Sequence, residues 1–129
     1  MTRLYILIIF ILAFSTSMTA VSASTTSTER ENEIKHLLAF IADSGCTFIR
    51  NNDEYPSIKA KSHIERKYNY VKSRVSSTED FIKYAATKSS MSGKHYMVSC
   101  SGDKTASSQW LLDELAVYRE HQSGHNISN

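Results

Sequence analysis

The sequence predicts an α+β domain: about four helices packed on a small antiparallel sheet, built from a hairpin over 46–55 and a strand over 95–100 and held by one cross-strand disulfide. Three observations lead there. Four stretches carry apolar residues at helical spacing, two short β-rich runs each hold one of the two cysteines, and the first residues direct the chain out of the cytosol.

Arg3 precedes LYILIIFILAF, an apolar run of eleven residues, and then STSMTAVSAS, in which Val21 and Ala23 satisfy the small-residue cleavage rule. Residues 1–23 therefore read as a signal peptide cleaved near Ala23. The run falls short of the roughly 20 apolar residues that span a bilayer, so no stable membrane insertion is expected after cleavage. Cleavage leaves 106 of the 129 residues, enough for one domain. Arg3 is the only charge lost, and the 14 basic and 13 acidic side chains that remain create no strong field for nucleic acid. A small secreted domain with so modest a core needs a staple, and Cys46 and Cys100 are expected to form it.

Residues 24–28 read as a flexible segment, and 29–121 as a single globular domain. Thr28-x-x-Glu31 is a capping box, followed by Ile34, Leu37, Leu38 and Ile41 on one helical face. Gly45 in DSG is placed to end that helix in the left-handed conformation. Cys46-Thr-Phe-Ile-Arg is a short strand. Asn51 and Asn52 tolerate the positive φ of a tight turn, and Pro56, with no N–H for the ladder, ends the return strand. From Ser57, the residues Ala60, Ile64, Tyr68, Val71 and Val75 form a helical stripe. Ser76-x-x-Glu79 starts a further helix, with Phe81, Ile82, Ala85 and Ala86 facing inward. KSSMSGK breaks it, HYMVSC is a strand, SGDKTASS reads as a polar loop, and QWLLDELAVYREH is a helix burying Trp110, Leu111, Leu115 and Tyr118. Residues 122–129 read as a disordered tail.

A bridge between Cys46 and Cys100 fixes a register. If 46 lies opposite 100, Phe48 faces Val98 and Arg50 faces Tyr96 on the disulfide side, while Ile49 faces Met97 and Asn51 faces His95 on the other. The polar end of the first strand then meets the serine loop at the sheet's margin.

Arg50, Asn51, Ser89, Ser90, Ser92 and Lys94 are candidates for an anion pocket of guanidinium, hydroxyls and backbone amides. Equally, the serines cap a helix end and Arg50 stacks on Tyr96. His63, with Lys67 one turn on, is either a general base or a helix-edge packing residue, and no nucleophile accompanies it. Ser101-x-x-Lys104 has the form of an acyl-transfer motif, but in a loop and without that motif's partners. His121 and His125 have metal-ligand spacing without a third ligand. No metal and no cofactor are expected.

SGCTFIRNN, AKSHIERKY, TEDFIKYAATKSSMSGKHYMVSC and WLLDELAVYR together resemble a family of small exported bacterial proteins, domain of unknown function 5329, over Ile34 to Arg119. One departure is Asn52, where that family usually has glycine after the Arg-Asn pair. The resemblance implies a bacterial envelope setting, the periplasm, and draws attention to Arg50, His63, Lys67 and the serine loop as a shared polar surface. The ligand-binding candidates are thus Arg50, Asn51, His63, Lys67, Ser89, Ser90, Ser92 and Tyr96. The expectation is a monomeric, non-enzymatic periplasmic binding module whose partner is a small anionic ligand or an envelope protein. Two other readings stay open: an inhibitor or immunity-type protein that blocks a secreted toxin or envelope hydrolase, and a small peptidoglycan or peptide hydrolase using His63 and a loop serine.

Overall fold

A computed structural model describes residues 26–125, so residues 1–25, which include the expected signal peptide, and residues 126–129 lie outside it. The first helix, α1 (Ser27–Asp43), begins two residues earlier than the capping box at Thr28 predicts. Its N-cap is Thr26, whose Oγ1 accepts from the Glu29 amide at 3.2 Å. Thr26-x-x-Glu29 and Thr28-x-x-Glu31 have the same spacing, and the earlier one closes the helix end. Ile34, Leu37, Leu38 and Ile41 are buried as their spacing requires, joined by Glu33. Gly45, at φ 64°, turns the chain into the sheet.

Strand β1 (Thr47–Arg50) returns as β2 (Asp53–Pro56) through Asn51 and Asn52, at φ 52° and 71°. Two consecutive left-handed residues match the right-handed twist of the flanking strands, which is why a two-residue turn suffices. Helix α2 (Ser57–Val71) buries Ala60, Ile64 and Tyr68, then tightens into a 3₁₀ turn over Lys72–Arg74 that delivers Val75 to the core.

Helix α3 (Thr78–Ala85) is capped by Ser77, not Ser76. Ser77 Oγ accepts from the Asp80 amide at 3.0 Å, while the Asp80 carboxylate reaches back to the Ser76 amide at 3.1 Å. Glu79, expected in that role, is held instead by Arg119 Nη1 at 2.6 Å.

The stretch read as a polar loop contains a strand. β3 (Met97–Cys100) turns through Ser101 and Gly102, both at positive φ, into β4 (Asp103–Ala106). Asp-Lys-Thr-Ala carries no apolar alternation because β4 is an edge strand with most of its side chains exposed. Helix α4 (Ser107–His125) follows at once and continues past His121, through Gly124, where a tail was expected. Ser123 Oγ donates to the Arg119 carbonyl at 2.9 Å in that last stretch.

The four strands form one antiparallel sheet in the order β2-β1-β3-β4. Phe48 pairs with Val98 and Ile49 with Met97, the register counted from the cysteines, and Cys46 and Cys100 are bridged across the two central strands. Phe48 and Val98 are buried on the helix-covered face. Leu37, Ile41, Ile64, Phe81, Leu111 and Leu115 fill the space between helices and sheet, each about 1.5–3 kcal/mol of transfer free energy. Trp110 packs on Phe40 and, edge to face, on Phe48, so α1, α4 and β1 share one aromatic cluster.

A second tie between helices is polar. Glu33, 1 % exposed, accepts from Arg119 Nε at 2.6 Å and Nη2 at 2.9 Å, and from the Thr78 hydroxyl. Arg119, shared between Glu33 and Glu79, holds its proton even more firmly than an ordinary arginine. No helix among the described residues is long and apolar enough to cross a membrane.

Candidate functional site

The residues that could carry chemistry divide according to which side of the β1 turn they join. At the end of β1 the chain must leave the core, and Arg50 is the first side chain on the buried face beyond Phe48. It bends over α2 rather than toward Asp53, its partner across the hairpin. Its Nη1 lies 3.1 Å from His63 Nδ1, its Nη2 donates to the Tyr55 hydroxyl at 3.4 Å, and its guanidinium lies over the Tyr55 ring at 5.2 Å. Arg50 thus stacks on Tyr55, not on the Tyr96 expected from the strand register.

His63 joins Arg50 to Tyr96. Its Nε2 is 3.1 Å from the Tyr96 hydroxyl, and the two rings meet edge to face. Arg50 Nη1 also lies 3.3 Å from Nε2; a guanidinium only donates, so it bonds whichever ring nitrogen is unprotonated, and the tautomer sets whether His63 gives to or accepts from the Tyr96 hydroxyl. Lys67 Nζ reaches the same oxygen at 3.4 Å, lies 5.1 Å above the Tyr96 ring, and donates to the Lys88 carbonyl.

The electrostatics follow from this crowding of cations. Burial first, then the charges of Arg50, Lys67 and Arg66, hold His63 below its ordinary value, so the ring is neutral at neutral pH. Burial, Arg50 and Lys88 lower Lys67 as well. Burial raises the Tyr96 phenol against the opposing pull of Arg50, so it keeps its proton. In the tautomer with the proton on Nε2, the Tyr96 oxygen accepts from His63 and Lys67 and its hydroxyl proton is left to donate.

A cavity of about 410 Å³ opens on this cluster, within the size range of small-molecule sites. Phe48, Ala60 and Ile64 give it an apolar wall, Tyr55 and Tyr96 an aromatic one, and Arg50, Lys59 and Arg66 supply its positive charge. No carboxylate lines it among the described residues, and none lies within 4.0 Å of Arg50. A larger polar cavity beside Arg119 differs in this respect, because Glu33 and Glu79 already neutralise its cation.

The serine loop belongs to the other side of the turn. Ser89 is buried, its amide bonds the Lys94 carbonyl at 2.9 Å, and its Oγ accepts from the Ser92 amide at 3.4 Å. Ser92 Oγ donates to the Asn51 side chain and accepts from the Lys94 amide at 3.2 Å. These bonds close the loop on itself and tie it to the β1–β2 turn. Ser90 and Lys94 are exposed, and none of Asn51, Ser89, Ser90, Ser92 and Lys94 lines the cavity. Of the eight candidates, Arg50, His63, Lys67 and Tyr96 meet, and the other four do not join them.

Tyr55, Lys59 and Arg66 are the site residues that sequence reasoning missed. Lys59, His63 and Arg66 recur at spacings of four and three along α2, beside the apolar stripe, and that periodicity was the available signal. Ser101 forms a turn and Lys104 lies on β4, which leaves the acyl-transfer spacing without a site. His121 and His125 lie on the exposed end of α4, and no group of three metal-ligating side chains exists among the described residues.

No curated protein and no solved structure matches the chain. The family model described as Family of unknown function (DUF5329) matches residues 28–119, a span that takes in the disulfide, the serine loop and every residue of the cavity, and the chain belongs to that family.

Proposed function

We propose that the protein is an exported, non-enzymatic binding module that holds a small anionic ligand in the cavity between β1, β2 and α2. The observation that carries this reading is Arg50: a half-buried guanidinium, facing a cavity, with no carboxylate within ion-pair distance among the described residues. A carboxylate or phosphate would accept from its free N–H groups and from the Tyr96 hydroxyl and would offset the charges of Lys59 and Arg66. Binding is favoured over hydrolysis because Arg50 and Tyr96 already engage the ring nitrogens of His63, and the loop serines hydrogen-bond within their own loop.

Export to a periplasm is part of the same proposal. The apolar leader and its cleavage pattern support it, as does the Cys46–Cys100 bridge, which persists in oxidising compartments. The bacterial envelope is the setting implied by the family resemblance.

Titrating the domain with inorganic phosphate and acetate, followed by NMR of the Arg50 and His63 side chains, tests the ligand reading. Shifts saturating in the low millimolar range or below, and lost in Arg50→Met, are the expected result. Spectra unchanged at tens of millimolar of either anion would refute it.

A further inference from the structure

We infer that the ligand is amphipathic, a single acidic head joined to an apolar body. The inference rests on the anion-binding reading and narrows it to a ligand class. Phe48 and Arg50 project from the same face of β1 two residues apart, about 7 Å along the strand. Both line the cavity, one with an apolar ring and the other with a cation. Phe48, Ala60 and Ile64 are core residues, each under 10 % exposed, that also form a cavity wall. An inorganic ion bound at Arg50 would leave the half-buried Ile49 and Tyr55, which also line the cavity, in contact with water, whereas an alkyl or aryl group extending from the head would cover them.

The charge pattern sets the polarity of the ligand. Arg50, Lys59 and Arg66 border the cavity without a lining carboxylate among the described residues, so a cationic or zwitterionic body finds no partner there. Tyr55 and Tyr96 offer a ring edge or face and one hydroxyl each, which suits a hydrocarbon or aromatic body rather than a sugar with many hydroxyls. A carboxylate and a phosphate monoester share this head chemistry, and the probe series separates them.

Calorimetric titration of the full mature chain with acetate, butanoate and hexanoate, with hexyl phosphate and inorganic phosphate, and with hexan-1-ol tests the inference. Each methylene that enters the cavity should tighten binding roughly fourfold. Hexanoate should therefore bind more than tenfold tighter than acetate, and more than tenfold tighter than hexan-1-ol, with hexyl phosphate exceeding phosphate in the same way. Arg50→Met should abolish the preference for hexanoate over the alcohol. If that variant fails to fold by circular dichroism, the acid-against-alcohol comparison on the native chain carries the same information. Acetate and phosphate binding with no gain along the series would overturn the amphipathic ligand while leaving an anion site standing. Equal affinity for hexanoate and hexan-1-ol, or no binding by any probe, would overturn both.

Discussion

Replacing Arg119 with methionine keeps the aliphatic stem and removes the guanidinium, so the Glu33 carboxylate loses two of its three hydrogen bonds and its counter-charge. The Glu33 side chain is 2 % exposed, whereas that of Arg119 is 38 % exposed. Breaking a buried ion pair costs about 3–5 kcal/mol, and the partial exposure of Arg119 puts Arg119→Met at the lower end, about 3 kcal/mol. The Glu79 carboxylate on the same guanidinium is 47 % exposed, so Glu79→Gln should cost less than about 1 kcal/mol. For a domain of this size the first loss corresponds to a fall in Tm of about 12–24 °C. Urea denaturation followed by circular dichroism measures all three proteins, and a Glu33→Met, Arg119→Met double variant should be more stable than Arg119→Met alone, since no charge is stranded. The reasoning fails if Arg119→Met costs no more than Glu79→Gln, or if the double variant is the least stable of the set.

Removing the bridge by Cys46→Ala, Cys100→Ala frees a loop with a sequence separation of 54 and should cost roughly 4 kcal/mol, read as a lower urea midpoint; an unchanged midpoint would contradict it. Asn52, at φ 71°, occupies a conformation that glycine adopts freely, so Asn52→Gly should raise stability by about 0.5 kcal/mol and Asn52→Ala should lower it by about 1 kcal/mol in thermal melts. His63 binds its proton more weakly in the folded chain than at its ordinary value of 6.5, so the unfolded chain takes up more protons as pH falls. Stability should therefore decline below pH 6.5 until the folded ring itself protonates, and His63→Gln should remove that part of the decline. Bound phosphate should raise the His63 midpoint measured by NMR; a midpoint indifferent to phosphate would detach His63 from the anion site.

Much of the fold was legible because it follows local rules. Apolar residues at spacings of three and four drew the faces of α1 to α4, two asparagines marked a two-residue turn, and the cysteines set the register of β1 against β3. β4 was not legible, since an exposed edge strand has no reason to alternate. The caps of α1 and α3 lie one or two residues from those the spacing predicts: Thr26-x-x-Glu29 and Thr28-x-x-Glu31 are equivalent along the chain, and at α3 Arg119 holds Glu79, while Ser77 and Asp80 make the cap.

The site shows the same division. Arg50, His63, Lys67 and Tyr96 are recognisable as polar candidates, yet Arg50 could turn to the serine loop or to Tyr96, and sequence spacing cannot tell that it folds over Tyr55 instead. From the sequence alone came the types of every element but β4, the bridge and the register of β1 against β3, because these depend on neighbours along the chain and on a covalent constraint. The tertiary structure alone decided that the serines close their own loop, that Tyr55, Lys59 and Arg66 border a cavity with Arg50, and that Glu33 is buried on Arg119. Those outcomes depend on which surfaces of α1, α2 and α4 the packed core brings within hydrogen-bonding reach, at separations of up to 86 residues along the chain.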